Sequence, residues 1–365
     1  MSTEHTMNNV TPGLLKTKQH FIILDGLRGV AAFAIVAFHF LEVVFEFSKN
    51  FLGHGFLAVD FFFCLSGFVI AYAYDDRLEK MGIMEFFKSR IIRLHPLVIF
   101  GSVLGLLTFI YDPFSGTAAQ YSIGKITLLF LTSALLIPFP TMEERYFNNF
   151  GLNAPAWSLF WEYVANIVYA FVLYKLARKY LIALAGVAAI ILVVVAYRTG
   201  SLLGGWAGEN FWEGGARILY SFVAGLLIYR SKWMIKNKLG FVGLSILLLF
   251  AFFMPYSNYN WLTESLVVLF YFPFLVALGA GTAATQGLTK LCTFFGKISY
   301  PLYMTHYMAI WVFANYYNAY KPKGTELALV ITGGVLALVS LAYLTMIIFD
   351  IPVRKYLSKK RIKAL

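Results

Sequence analysis

Residues 23–40 read ILDGLRGVAAFAIVAFHF, an apolar stretch fit to cross a bilayer except for Arg28 and His39. An ionisable residue inside such a segment costs about 2.5–3.5 kcal/mol on insertion scales, so its default reading is a functional site. The eleven-residue separation corresponds to about 16 Å of helical rise and about 1100° of rotation, which leaves both side chains within about 20° of one face. That face carries a cation toward one membrane side and an imidazole toward the other.

Working outward, 60% of the 365 residues are hydrophobic and 13% charged, which excludes a water-soluble globular domain. Apolar runs of about 20 residues recur from Phe21 onward without a gap large enough for a soluble domain. The expected fold is all-α, a polytopic membrane helix bundle. Residues 21–350 form its membrane domain, 1–20 a cytoplasmic tail without a cleavable signal pattern, and 351–365 a basic cytoplasmic tail. The net charge of +12 sits in short loops and termini, where the positive-inside rule places it, so no nucleic-acid partner is expected. Cys64 and Cys292 lack a CxxC spacing, which supports neither a disulfide framework nor a zinc site, and no metal is expected. The chain also lacks a Walker A loop, a dinucleotide fingerprint, HExxH and GxSxG.

Apolar segments fall at 21–45, 55–74, 95–111, 125–139, 156–174, 180–197, 215–229, 239–256, 262–285, 298–318 and 325–348. Basic clusters at Lys16 and Lys18, Lys88 to Arg93, Lys175 to Lys179, Arg230 to Lys238 and Arg354 to Lys363 belong in the cytoplasm. Both termini inside require an even number of spans. The segment 125–139, short and ending in Pro138-Phe139-Pro140, is therefore read as re-entrant or interfacial, leaving about ten transmembrane helices. Loops 140–155, 198–214, 257–261 and 319–324 then face outward with His39, while Arg28 lies toward the cytoplasm.

Arg90 and Arg93, three apart in FFKSRIIRLHP, share a helical face and converge with Arg28 on one membrane side, an anion site suited to phosphates or else a positive-inside anchor. Asp25 is the intrahelical partner for Arg28. His39, without a local partner in this reading, serves as a base, as a nucleophile or as a core group. Glu162, beside Trp157 and Trp161, is a carboxylate available to orient His39. In GKISYPLYMTH, Pro301 and His306 suggest a distorted helix lining a cavity, with a packing histidine bonded to a carbonyl as the other reading. His54 and His95 read as interface residues.

The order LDGLRG (24–29) with His39, VDFFFCLSGFVI (59–70), RIIRLHP (90–96), APAWSLFWEY (154–163) and GKISYPLYMTH (296–306) resembles the acyltransferase-3 family of integral-membrane O-acyltransferases. The resemblance covers nearly the whole chain. It implies about ten helices that take an acyl group, usually acetyl, from acyl-CoA in the cytoplasm and place it on a hydroxyl, usually of a sugar, facing the other side. It also implies that Arg28 and His39 are the family's arginine and histidine and that Arg90 and Arg93 are its paired basic residues. Trp157 and Ser158 fall in its tryptophan-serine-leucine element, and Ser299 and Tyr300 in its serine-tyrosine-proline element. The expected partners are acyl-CoA (acetyl-CoA in the simplest case), a carbohydrate or glycoconjugate acceptor and the bilayer, at the cell's inner membrane. The competing class is a polytopic transporter or flippase for a lipid or saccharide. The chain shows no internal symmetry of the kind transporters often carry.

Overall fold

Inside a bilayer every backbone N–H and C=O must be satisfied within the protein, so apolar runs of this length fold as helices. The computed structural model, which describes residues 21–363, is helical throughout and forms no strand among the described residues beyond an isolated Asn148–Ala207 bridge. The expected tail at 1–20 lies outside the described residues.

In chain order the helices are α1 (Ile22–Val44), α2 (Ala58–Tyr74), α3 (Leu78–Met81), α4 (Ile83–Ile110), α5 (Ile123–Ala134), α6 (Ala156–Phe171), α7 (Arg178–Thr199) and α8 (Phe211–Arg230). There follow α9 (Gly240–Phe252), α10 (Asn260–Leu266), α11 (Phe272–Gly281), α12 (Gln286–Thr305), α13 (Tyr307–Tyr320), α14 (Gly324–Leu344) and α15 (Ile351–Lys363). Two π-helical turns, Val267–Tyr271 and Thr345–Asp350, join α10 to α11 and α14 to α15.

Seven helical stretches are long and apolar enough to span a membrane: Ile22–Val44, Gly55–Tyr74, Ile83–Ile110, Arg178–Thr199, Phe211–Arg230, Asn260–Gly281 and Gly324–Arg361. The other three expected spans depart from that standard for identifiable reasons. Segment 156–174 is helical only over the 16 residues of α6, and 239–256 only over the 13 of α9. Segment 298–318 is the end of α12 plus α13, broken at His306, and α12 itself begins earlier and carries Lys290 and Lys297. Segment 125–139 forms the 12-residue α5, started by Ser122, whose side chain accepts from the Lys125 N–H.

Helix α2 runs through the centre of the bundle, with 72% of its most apolar window buried, whereas the corresponding windows of α7 and of the α14–α15 stretch are 22% and 11% buried and face outward. Without a hydrophobic driving force between lipid-embedded helices, close packing depends on small residues. A Cβ on Gly67 of α2 would stand 2.0 Å from the Phe222 carbonyl oxygen of α8, and one on Gly225 of α8 would stand 2.0 Å from that of Cys64. Gly29 plays the same part for α1 against α12, where a Cβ would meet Phe295 Cβ at 2.3 Å, and Gly26 makes room for Phe241 of α9 and Cys292 of α12. Gly29, next to Arg28, thus lets α12 come close enough for the arginine to reach it.

The loops sort to two ends. Tyr146, Trp206 and Asn318, from the neighbourhoods of the loops expected outside, gather around His39, and Tyr256 packs against Phe47 and His54 at that same end. Arg28, Arg90, Arg93 and Arg354 collect at the other.

Candidate active site

Arg28 bonds across the α1–α12 contact: Nε donates to Ser299 Oγ at 2.9 Å and Nη2 to the Gly296 carbonyl at 2.5 Å, with Asp25 Oδ1 3.2 Å away on its own helix. It opens into a cavity of about 300 Å³ that also receives Arg90 and Arg93 from α4, Ser66 from α2, Glu162 from α6 and Tyr300 from α12. The three arginines singled out in the sequence therefore meet. Arg90 donates to Glu162 Oε1 at 2.7 Å, and Ser66 donates to the same oxygen at 3.0 Å. Tyr300 donates to the Leu94 carbonyl at 2.6 Å, pinning α12 to α4. Arg93 is exposed to the cavity and makes no hydrogen bond or ion pair with a described carboxylate. Arg28, Arg90, Arg93, Lys297 and Arg354 face Asp25, Glu162 and Asp350 there, an excess of two positive charges.

His39 stands in a second cavity of about 440 Å³, on the far side of a wall formed by Val59 and Tyr303, which line both chambers. Ser158 Oγ donates to the Pro155 carbonyl at 3.0 Å, so the 2.8 Å contact between Ser158 and Tyr303 is donated by the tyrosine hydroxyl. That bond closes the wall. Trp157 lies on the His39 side and Ser158 on the arginine side, so α6 contributes consecutive residues to both cavities.

The carboxylate beside His39 is Glu42, one helical turn along α1, with Oε1 2.5 Å from His39 Nδ1. Because an ionised carboxylate only accepts, Nδ1 carries the proton and Nε2 is left as the acceptor. Glu162, expected to orient His39, is instead bonded to Arg90 in the other chamber. His306 is fully buried, its Nδ1 bonded to the Tyr303 carbonyl at 2.8 Å and its ring stacked on His39 with centroids 5.2 Å apart. It occupies the break between α12 and α13 and backs His39 rather than lining its cavity.

Several groups escaped the sequence reading. Arg217, 1% exposed, binds Asp60 through Nε–Oδ1 at 3.1 Å and Nη2–Oδ2 at 2.6 Å and stands 5.2 Å from the Trp157 ring centre. An arginine inside segment 215–229 satisfies the same criterion that singled out Arg28. His54 is not an interface residue: it is wholly buried, with Nδ1 on the Met254 carbonyl and Nε2 3.3 Å from Glu264. In the loop before α6, Arg145 bonds the Gly151 carbonyl and is sandwiched between Phe109 and Trp311, 4.9 and 5.2 Å away. Burial pushes its guanidinium down to about 10, against the pull of Glu144 and Asp112. This anchor presents the next residue, Tyr146, to the His39 cavity in a left-handed conformation (φ 54°).

Residues 21–349 match the family described as "Acyltransferase domain". "Protein 2 in picA locus" of Rhizobium radiobacter is 35% identical over 49% of this chain and 95% of its own length. "O-acetyltransferase OatA" of Staphylococcus aureus is 26% identical over 80% of this chain, and "Acyltransferase MdmB" of Streptomyces mycarofaciens is 30% identical over 43% of it. The chain aligns with 51% of the staphylococcal protein's length and 40% of the Streptomyces protein's. No solved structure matches. With nine-tenths of its length inside that match, the chain belongs to the membrane acyltransferase family that this domain defines.

Proposed function

We propose that the protein moves an acyl group, acetyl in the simplest case, from cytoplasmic acyl-CoA to a hydroxyl of an extracytoplasmic carbohydrate or glycoconjugate. The observation that carries this reading is the pair of back-to-back cavities, arginine-rich on one side of Tyr303 and holding the His39–Glu42 pair on the other. The basic clusters at the arginine end support a cytoplasmic orientation for that end, and the reading adopted is an inner-membrane protein with both termini on the cytoplasmic side. The name of the staphylococcal relative supports oxygen as the atom acylated.

Arg93, which makes no direct hydrogen bond or ion pair with a described carboxylate, and Arg28 and Arg90, held by bonds to α12 and α6, suit the phosphates of CoA in this cavity. The pantetheine arm then runs along α1 toward His39, a rise of about 16 Å. Reaching it requires the Ser158–Tyr303 bond to part. On the far side, Trp157, Trp206, Trp311 and Tyr146 offer flat apolar faces to a sugar ring, and Asn148 and Asn318 offer amides to its hydroxyls.

With Glu42 holding Nδ1–H, His39 Nε2 takes the proton of the acceptor hydroxyl as its oxygen attacks the thioester carbonyl. The C–S bond breaks, the acyl group leaves on oxygen, and the departing CoA thiolate recovers the proton from the imidazolium. An acyl-His39 intermediate is the two-step variant of the same transfer.

Membranes containing the protein, incubated with radiolabelled acetyl-CoA, should place label on saccharide and release CoA. His39→Ala should lower the rate by about 100-fold or more. Near-normal transfer by His39→Ala would overturn both versions. Arg90→Ala/Arg93→Ala should raise the donor KM, and full activity at limiting acetyl-CoA would remove the phosphate site.

A further inference from the structure

The stretch 351–365 is expected as a tail; its described part continues past the matched region as α15 (Ile351–Lys363), and Arg354 on its first turn lines the arginine cavity. We propose that α15 is a wall of the donor site and that Arg354 binds a phosphate of the nucleotide end of acyl-CoA. The proposal rests on the donor reading above and adds a residue outside the matched stretch.

The placement of α15 is built in at three points. The π-helical turn Thr345–Asp350 inserts a widened turn before α15, the kind of local departure that recurs at functional sites. Phe349 in that turn packs against Phe100 of α4, with ring centres 4.7 Å apart and the planes tilted by 30°. At the far end, Arg361 Nε lies 3.0 Å from Glu85 Oε2 on the first turn of α4. Both ends of the C-terminal segment are thereby fixed to the helix that carries Arg90 and Arg93.

Arg354 is only partly engaged. Its Nη2 bonds Oδ2 of Asp350, which is 1% exposed, and its Nε reaches the Asp350 main-chain carbonyl at 3.4 Å, while the arginine side chain as a whole is 30% exposed and lines the cavity. The other Asp350 oxygen, Oδ1, is buried with no hydrogen-bond partner. A guanidinium has five N–H donors in a planar fork, and the two contacts with Asp350 leave three of them without a partner among the described residues. The side chain lines a chamber whose described residues carry an excess of positive charge, a setting that favours a multiply charged anion over a second carboxylate. Phosphate esters are the anions the donor carries.

The test is equilibrium binding of radiolabelled CoA to the purified full-length protein in nanodiscs, with transfer from acetyl-CoA and from phosphate-free S-acetylpantetheine measured in parallel. Arg354→Ala should weaken CoA binding about tenfold, about 1.4 kcal/mol. Its kcat/KM for acetyl-CoA should fall by a similar factor relative to that for S-acetylpantetheine. Arg354→Lys should recover part of the loss, because it restores charge without the fork. Asp350→Asn should tighten CoA binding about threefold by freeing the guanidinium, a change of sign that a misfolded variant does not produce. CoA binding within twofold of wild type in Arg354→Ala, while Arg93→Ala weakens it, would overturn this assignment alone. Unchanged binding in both variants would overturn the phosphate site as a whole. Equal losses with the two thioester donors would also sink the role of Arg354.

Discussion

His39 is held by a residue three positions along its own helix, and the i, i+3 spacing of His39 and Glu42 was there to be read. Glu162 drew attention instead because it lies among tryptophans in an apolar run, and that spacing carries no information about which chamber it faces. The structure places the two carboxylates in different chambers. Glu42→Gln should lower kcat by about 100-fold with a smaller effect on donor KM, because it removes the group that fixes the imidazole tautomer. Glu162→Gln should act mainly on donor KM, through Arg90. Steady-state kinetics with acetyl-CoA varied separate the two, and a reversed pattern would return the orienting role to Glu162. Arg28 was legible down to its partner Asp25, whereas the pairing of Arg217 with Asp60 was not, since only the fold brings positions 157 residues apart into a bidentate pair. Asp60→Ala leaves the buried guanidinium uncompensated and should cost about 3–5 kcal/mol, seen as a lowered Tm in detergent, with Asp60→Leu/Arg217→Met restoring most of it.

At the scale of elements, apolar runs located most of the helices but not the exact points at which they break. In segment 298–318 the expected distortion is present, and it falls at His306, where the ring bonds the Tyr303 carbonyl, while Pro301 is accommodated inside α12. The start of α4 at Ile83 likewise puts Arg90 and Arg93 on a helix already under way, which aims both into the bundle. Helix contacts at α2–α8 depend on glycine rather than on apolar bulk. Gly67→Ala places a methyl against a backbone oxygen that cannot rotate away, so it should destabilise by about 1–3 kcal/mol or more. Gly333→Ala, on the outward face of α14 with nothing within 4 Å, should be neutral or slightly stabilising. Thermal unfolding of the two variants in the same detergent checks the contrast, and equal Tm values would show that the α2–α8 approach is looser than described.

Across the whole molecule, Tyr146, Trp206 and Asn318, next to loops read as outward, gather at the His39 end, and Arg90, Arg93 and Arg354, from clusters read as inward, gather at the other, which agrees with the charge-parity grouping because the positive-inside rule acts on loops and not on helix interiors. What it could not give was the wall between the chambers, since Tyr303 is an ordinary residue in sequence and gains its position only from the α6–α12 contact. Membership in the acyltransferase family answers the transporter alternative, and the two-chamber layout gives acyl transfer a route. Tyr303→Trp should plug that route, lowering transfer by about 10-fold or more while CoA binding at the arginine end is retained, since a bulky ring cannot clear the passage without strain. The most direct measurement uses inside-out membrane vesicles given radiolabelled acetyl-CoA in the medium, on the face that carries the arginine cavity. Label is expected on glycan enclosed within the vesicles before any permeabilisation, and should be lost with His39→Ala. Label appearing only after the vesicles are opened, or undiminished in His39→Ala, would contradict transfer through the two chambers.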